Sequence, residues 1–383
     1  MIKISIPQAK MEDIKQQHID KILPILRRKY ELMNPHQPYI TLLQNDHHFF
    51  DEDLITLILI GQFDRMLVNT KLDYLFNLSN LINKAPIKIN EYLKRHNIEG
   101  TMDNRRMIRQ THFQRYFNHN YVFDLRINDY IVQNPDYYET SVKFQRLITE
   151  IEDRTNSFYT FLKDFFNYDD IIDDKYRHKL IYDMGITVCP YCNRQYITNY
   201  KYDESKRTTA DIDHFYPASK YPFLSLSIYN FIPSCPICNS RMKSSFCSEE
   251  IIYPYEEEFE EHAWFYTNLD YNHLDIRGLI GESVNFKIDI NIRNDSFFMD
   301  KITSSIRLFK LREVYETHKD YVSEIAIKKS RNPLSHKQEI REILNFVDIS
   351  DKEFELLLYG NYVEPEDLSK RPLAKLTRDI IYR

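Results

Sequence analysis

The sequence predicts an α+β protein, a mostly helical chain that carries a small antiparallel β region around two cysteine pairs. Three observations lead there. Apolar residues recur at helical spacing through residues 1 to about 180 and again from Asp300 onward. The stretch "VNFKIDINI", 284–292, alternates apolar and polar residues, as a half-buried strand does. Between them, over 185 to about 250, Gly, Pro, Cys, Asp, His and Asn cluster and the helical period fades.

At 383 residues the chain exceeds what one typical core organises, so several modules are expected. The boundaries are a helical region 1–180, a cysteine-bearing module 185–250 and a C-terminal region 251–383. Hydrophobic residues at 43% and charged residues at 28% describe a water-borne globular protein rather than a disordered or membrane one. The longest apolar run near the start, "LITLILIG", is too short to span a bilayer, and "MIKISIPQAK" has no signal-peptide apolar region. A cytoplasmic protein without membrane contact is expected. A net charge of −6 argues against a general nucleic-acid coat, but not against an enzyme that gathers positive charge locally.

Each element follows from its pattern. Ile14, His18, Ile22, Leu26 and Tyr30 keep a spacing of four, with Pro24 expected to kink or interrupt that helix. Leu54, Leu57, Ile58 and Phe63 begin a second helix, and Phe158, Leu162, Phe165 and Phe166 mark a third; core packing accounts for all three stripes. The acidic run from Glu256 to Glu261 reads as a solvated face or linker. "WFYTNLDYNHLDIRG" is the expected hairpin partner of 284–292, with Gly278 and Gly281 at the turn. Helical spacing returns at Leu308, Leu311, Tyr315, Val322 and Ile325, and the basic tail "KRPLAKLTRDIIYR" should end on a short helix.

Four of the five cysteines form two pairs, Cys189-Pro190-Tyr191-Cys192 and Cys235-Pro236-Ile237-Cys238. Paired CxxC units in a chain without a secretory signal read as metal ligands, here for one structural Zn2+ held by four thiolates. The stretch 193–234 between them is longer than a usual zinc-ribbon spacer, so something must fold inside the clamp. Cys247 reads as an ordinary free thiol.

The enclosed stretch contains "DIDHFYPAS", then "IYNFIPSCPICNSRMKSS". An Asp-His pair precedes a proline, an Asn sits in a short apolar run, and a second Asn follows the last cysteine. This order resembles the HNH, or ββα-metal, endonuclease family over Cys189 to Ser245. The resemblance implies a β-hairpin and a short helix gripping one Mg2+ or Mn2+. The first strand would carry Asp213 and His214, the second Asn230, and a helix from near Pro236 would carry Asn239 and Lys243. It implies Asp213 and Asn239 as ligands of the catalytic cation, His214 as general base, and Asn230 as the brace that orients the base. Those residue types suit the chemistry: a hard cation wants oxygen ligands, and an imidazole can take a proton from water near neutrality. Lys243 and Arg241 are candidate phosphate contacts.

Within that family, "CPYCNRQYI", "DIDHFYPASKYPFLSLSIYNFIPSC" and "CNSRMKSS" are similar to the HNH nucleases of bacterial anti-phage systems of the Septu type. This likeness implies a defence effector acting beside an ATPase partner, on DNA rather than RNA. Region 1–180 has no counterpart in the resemblance. The competing class is a zinc-clamped nucleic-acid- or protein-binding adaptor without catalysis, with an RNA-directed HNH nuclease as a further alternative. Over 185–250 basic and acidic residues nearly balance, so nucleic-acid grip is sought elsewhere. Arg105, Arg106 and Arg109 interleave with His112, Phe113 and Tyr116 at helical spacing. Lys370, Arg371, Lys375 and Arg378 form a second candidate. A solvated helix face is the competing reading of each.

Overall fold

The computed structural model describes residues 1–84, 89–116, 135–243, 250–269, 275–294, 297–331 and 350–383. Ser245 and Cys247 lie outside them, as do the side chains of His112 and Tyr116. The fold is α+β. The N-terminal part contains α1 (Gln8–Glu31), α2 (Glu52–Ile60), α3 (Phe63–Met66), α4 (Thr70–Lys84), α5 (Ile89–Arg95), α6 (Met102–Tyr116), α7 (Ser141–Phe165), α8 (Tyr168–Ile171) and α9 (Asp174–Met184). Among the described residues three two-stranded antiparallel sheets follow: β1 (Asn199–Tyr202) with β2 (Ser205–Thr208), β3 (Asp211–His214) with β4 (Phe231–Ser234), and β5 (Ala263–Leu269) with β6 (Phe286–Ile292). A π-helical turn, Ile237–Lys243, follows β4. The chain continues as α10 (Met299–Leu308), α11 (Leu311–Tyr315), α12 (Lys319–Arg331), α13 (Asp351–Tyr359) and α14 (Ala374–Tyr382). Among the described residues no helix is long and apolar enough to cross a membrane.

The helix stripes are core packing. In α7, Phe144, Leu147, Ile148, Ile151, Phe158, Leu162 and Phe165 are buried along one face, and Thr140 caps the start by accepting from the Lys143 N–H. Each such aromatic contributes about 1.5–3 kcal/mol on burial. Helix α1 runs without interruption through Pro24, because Ile14, His18, Ile22 and Leu26 on one face are held by packing on either side of it. The strand expectation is met in β6: Phe286, Ile288 and Ile290 are buried, with more exposed residues between. Its partner β5 pairs with it from Ala263↔Ile292 to Leu269↔Phe286. Val284, assigned to the same strand from sequence, lies before it and is exposed. Gly281 sits at φ 79°, and a Cβ there would meet the Ser323 carbonyl oxygen at 2.2 Å, so glycine is required. The acidic run is not simply solvated: Phe259 within it is fully buried, and Glu257 pairs with Lys301 at 2.5 Å.

One apolar cluster runs from Met1 to Leu376 and includes Phe158, Tyr191, Phe231, Phe265 and Tyr315. The helical region, the cysteine segment and the C-terminal region therefore share a core. His18 shows what this sharing does. It is fully buried, its Nδ1 lies 2.9 Å from the Tyr176 hydroxyl, and its Nε2 lies 2.8 Å from the Leu226 carbonyl. The carbonyl can only accept, so Nε2 carries the proton. The helix α1 thus pins the loop between β3 and β4. Burial pushes the His18 pKa down to about 4. The unfolded chain takes up a proton near pH 6.5 that the folded chain refuses until about pH 4, so stability falls as pH drops through that window. At pH 5 this group alone should cost about 2 kcal/mol relative to pH 7. Melting wild type and His18→Gln at both pH values checks it; an equal pH dependence in the two would show that His18 is not the titrating group.

Candidate functional site: the cysteine cluster and the Asp213–His214 hairpin

Cys189, Cys192, Cys235 and Cys238 are all buried, and their Sγ atoms lie within 4.8 Å of one another. Four thiolates around a tetrahedral zinc, with Zn–S about 2.3 Å, stand about 3.8 Å apart, so the cluster fits such an ion. Both knuckles fold alike. The Asn193 N–H donates to the Cys189 carbonyl at 2.8 Å, and the Asn239 N–H to the Cys235 carbonyl at 3.0 Å. The Arg194 N–H points at Cys192 Sγ at 3.4 Å, the kind of contact that steadies a thiolate. The C-terminal region closes over the first knuckle, where the Tyr315 hydroxyl donates to the Cys192 carbonyl at 2.6 Å.

Asn193, which its local spacing does not single out, anchors the tail. It sits at φ 48°, which asparagine tolerates, and is buried. Its Nδ2 donates to the Leu368 carbonyl, its Oδ1 accepts from the Lys375 N–H, and its carbonyl accepts from the Leu373 N–H. The sequence held a signal for it, since both pairs read CPxCN.

The hairpin β3–β4 lies between the knuckles, paired from Asp211↔Ser234 to His214↔Phe231. The Phe215 N–H donates to the Asn230 carbonyl at 2.9 Å, which makes the odd-numbered β3 positions the bonded ones. Pro233, opposite Ile212, therefore stands where no ladder donor is needed. Asn230 is not in the strand but ends the turn just before it. Fully buried, it receives the Tyr216 N–H on Oδ1 at 2.7 Å and donates through Nδ2 to the carbonyls of Tyr216 and Leu224. The loop 215–230 is closed by these bonds, by His18 on Leu226, and by the Ser225 hydroxyl on the Phe166 carbonyl.

His214 is partly buried at the end of β3. Its ring meets Tyr168 and Phe231 edge-on at 4.9 and 5.3 Å between centroids. Nε2 lies 2.9 Å from the Ser225 carbonyl, so Nε2 carries the proton and Nδ1 keeps its lone pair. Burial lowers its pKa, opposed by the Ser225 carbonyl and the Asp213 charge. A neutral imidazole with one fixed tautomer is the form that can accept a proton.

Asp213 and His214 leave the strand on opposite faces, as adjacent strand residues do. Asp213 faces the π-helical turn. It is 3% exposed; Lys243 Nζ donates to Oδ1 at 2.8 Å, and the Tyr191 hydroxyl donates to Oδ2. Lys243, expected at a phosphate, is 1% exposed and also donates to the carbonyls of His214 and Phe215 at 2.7 and 3.2 Å. An ammonium has three protons, so none is left for a substrate. Asn239, expected to share a cation with Asp213, directs its amide at Asp211 instead, 3.4 Å away. As arranged, Asp213 and Asn239 do not form a cation site, because the ammonium already neutralises the carboxylate. Arg241 is exposed, as a substrate contact requires.

The two basic stretches are engaged by the protein itself only in part. Arg109 is buried and donates to the carbonyls of Tyr138 and Glu139, whereas Arg106 is exposed. Lys375 is buried against Asp379 and the Ala263 carbonyl. Lys370 pairs with Asp367, and Arg371 and Arg378 donate to the carbonyls of Gly360 and Val363. Around Lys375 the tail is a structural strap, while Lys370 stays exposed. No family model, curated protein or solved structure matches the chain.

Proposed function

We propose that the chain is an HNH-type endonuclease that hydrolyses phosphodiester bonds in DNA, with His214 as general base. One observation carries the reading: His214 ends the first strand of a hairpin with Nε2 tied to the Ser225 carbonyl, which leaves Nδ1 as the basic nitrogen. Around it, Asn230 closes the loop from both sides, and the π-helical turn carrying Asn239 crosses the same hairpin. His214 would take a proton from the attacking water, Asn230 would hold the loop that orients it, and Arg241 would meet the phosphate backbone. Only with the Lys243 ammonium drawn off Asp213 would that carboxylate and Asn239 hold the Mg2+ or Mn2+ of the resemblance, whose charge would then relieve the leaving oxygen.

The same reading includes an ATPase partner and a role in anti-phage defence. What supports a partner is that three of the candidate basic contacts, Arg109, Lys243 and Lys375, are buried in internal bonds. Grip on DNA would come in part from another chain, and cleavage by the complex would exceed cleavage by the chain alone. A second reading, a zinc-clamped adaptor without catalysis, is favoured by the Lys243–Asp213 pair.

Nicking of plasmid DNA by zinc-loaded wild type and His214→Ala, with and without added Mn2+, separates the two readings. The pH dependence adds a further test. The base must be neutral to act, and burial holds its pKa below the ordinary 6.5. Cleavage should therefore rise with pH along a limb centred below 6.5 and be flat at neutrality. A limb centred above 7 would point to another base.

A further inference from the structure

We infer that Lys243 is the resident counter-ion of Asp213 and that, while its ammonium stays there, Asp213 is closed to a divalent cation. Its functional consequence rests on the nuclease reading; its test does not.

Strand and helix meet in two rungs. Asp211 and Asp213 stand two apart on one face of β3, and Asn239 and Lys243 stand four apart on the π-helical turn. The wide π turn, uncommon and frequent at functional sites, sets Asn239 against Asp211 and Lys243 against Asp213. The second rung is sealed. The side chains of Lys243 and Asp213 are 1% and 4% exposed, and the ammonium has one acceptor for each proton. Tyr191, which bonds the other carboxylate oxygen, is fully buried and stacked on Phe309 at 4.6 Å.

Two consequences follow. A cation arriving at Asp213 with Lys243 in place would meet a positive charge a few ångströms away in a medium that screens poorly. And Lys243 cannot leave without exposing or re-pairing a buried charge, so departure needs something that gains from it. The described state is then a latent one in which the carboxylate is held folded and neutralised. An activating event, whether substrate phosphate or partner, has to draw the ammonium away.

The test is Mn2+ binding, read from the loss of the free-ion electron paramagnetic resonance signal on the zinc-loaded full chain. Mn2+ prefers oxygen ligands and leaves the thiolate cluster alone. Wild type should bind no Mn2+ stoichiometrically. Lys243→Met should bind one, at least roughly 30-fold more tightly than wild type. The gain should vanish in the Asp213→Asn/Lys243→Met double variant, whose buried pair is neutral and so keeps the fold. Equal Mn2+ affinity in wild type and Lys243→Met would overturn the inference, and so would a gain that survives loss of Asp213. Should Lys243→Met not fold, the wild-type titration decides: stoichiometric Mn2+ binding overturns the inference, and its absence supports it. Mn2+ binding is read without DNA, whereas cleavage at His214 is compared with DNA phosphate present to draw the ammonium away, so the two ideas fail separately.

Discussion

Replacing Cys235 with serine is expected to abolish metal binding and to unfold the chain well beyond the knuckle. The four buried Sγ atoms fit one tetrahedral zinc, and purified wild type should carry about one per chain. Structural zinc contributes about 10–16 kcal/mol in small zinc modules, as much as the roughly 5–15 kcal/mol that holds an ordinary domain together. Here such energy would reach the rest of the fold. Cys192 is bonded through its carbonyl to Tyr315, and the neighbouring Asn193 holds Leu368, Leu373 and Lys375. Loss of such an ion would therefore free the C-terminal strap as well as both knuckles. Even a net loss of about 4 kcal/mol would lower the melting temperature by roughly 10 °C. Elemental analysis and thermal melts of wild type, Cys235→Ser and chelator-treated wild type read the effect. Metal-free protein with unchanged melting and solubility would refute a structural metal.

Cleavage by His214→Ala should fall by roughly 10²–10⁴-fold, the usual cost of losing a general base, with zinc content and melting little changed. The side chain is partly exposed, and besides its bond to the Ser225 carbonyl it meets Tyr168 and Phe231 only edge-on, so its removal costs local packing rather than the core. Two comparisons sharpen the result. Asp213→Ala would leave the Lys243 ammonium buried without its partner, which costs about 3–5 kcal/mol, so it should lose stability along with activity. Rescue of that variant by high Mn2+ is not expected while the fold is compromised. Asn230→Ala would leave the Tyr216 N–H without its acceptor in a buried loop; it should slow cleavage by loosening the loop that carries Ser225 while leaving the zinc alone. Equal nicking rates for wild type and His214→Ala at equal zinc content would falsify the nuclease reading.

Local patterns made much of this legible in the sequence. The α7 stripe, the β6 alternation, the two CPxC knuckles and the placement of Asp213 and His214 on one strand each depend on neighbours in sequence, where period and turn chemistry decide. The terminal helix was legible for the same reason. The basic tail was not: Lys375 and a free surface lysine are the same letter, and what separates them is Asp379 and the Ala263 carbonyl.

The sequence by itself determined that the chain is α+β, that four cysteines can share one metal ion, and that an Asp-His pair sits on a strand inside the clamp. Only the tertiary structure decided which charges are free. It turned Lys243 inward onto Asp213, pointed Asn239 at Asp211, and brought His18, from the other end of the helical region, onto the loop that positions His214. The physical reason is that a charge buried in a protein takes whichever partner packing brings within about 3 Å, and that partner is set by long-range contacts that no local spacing encodes.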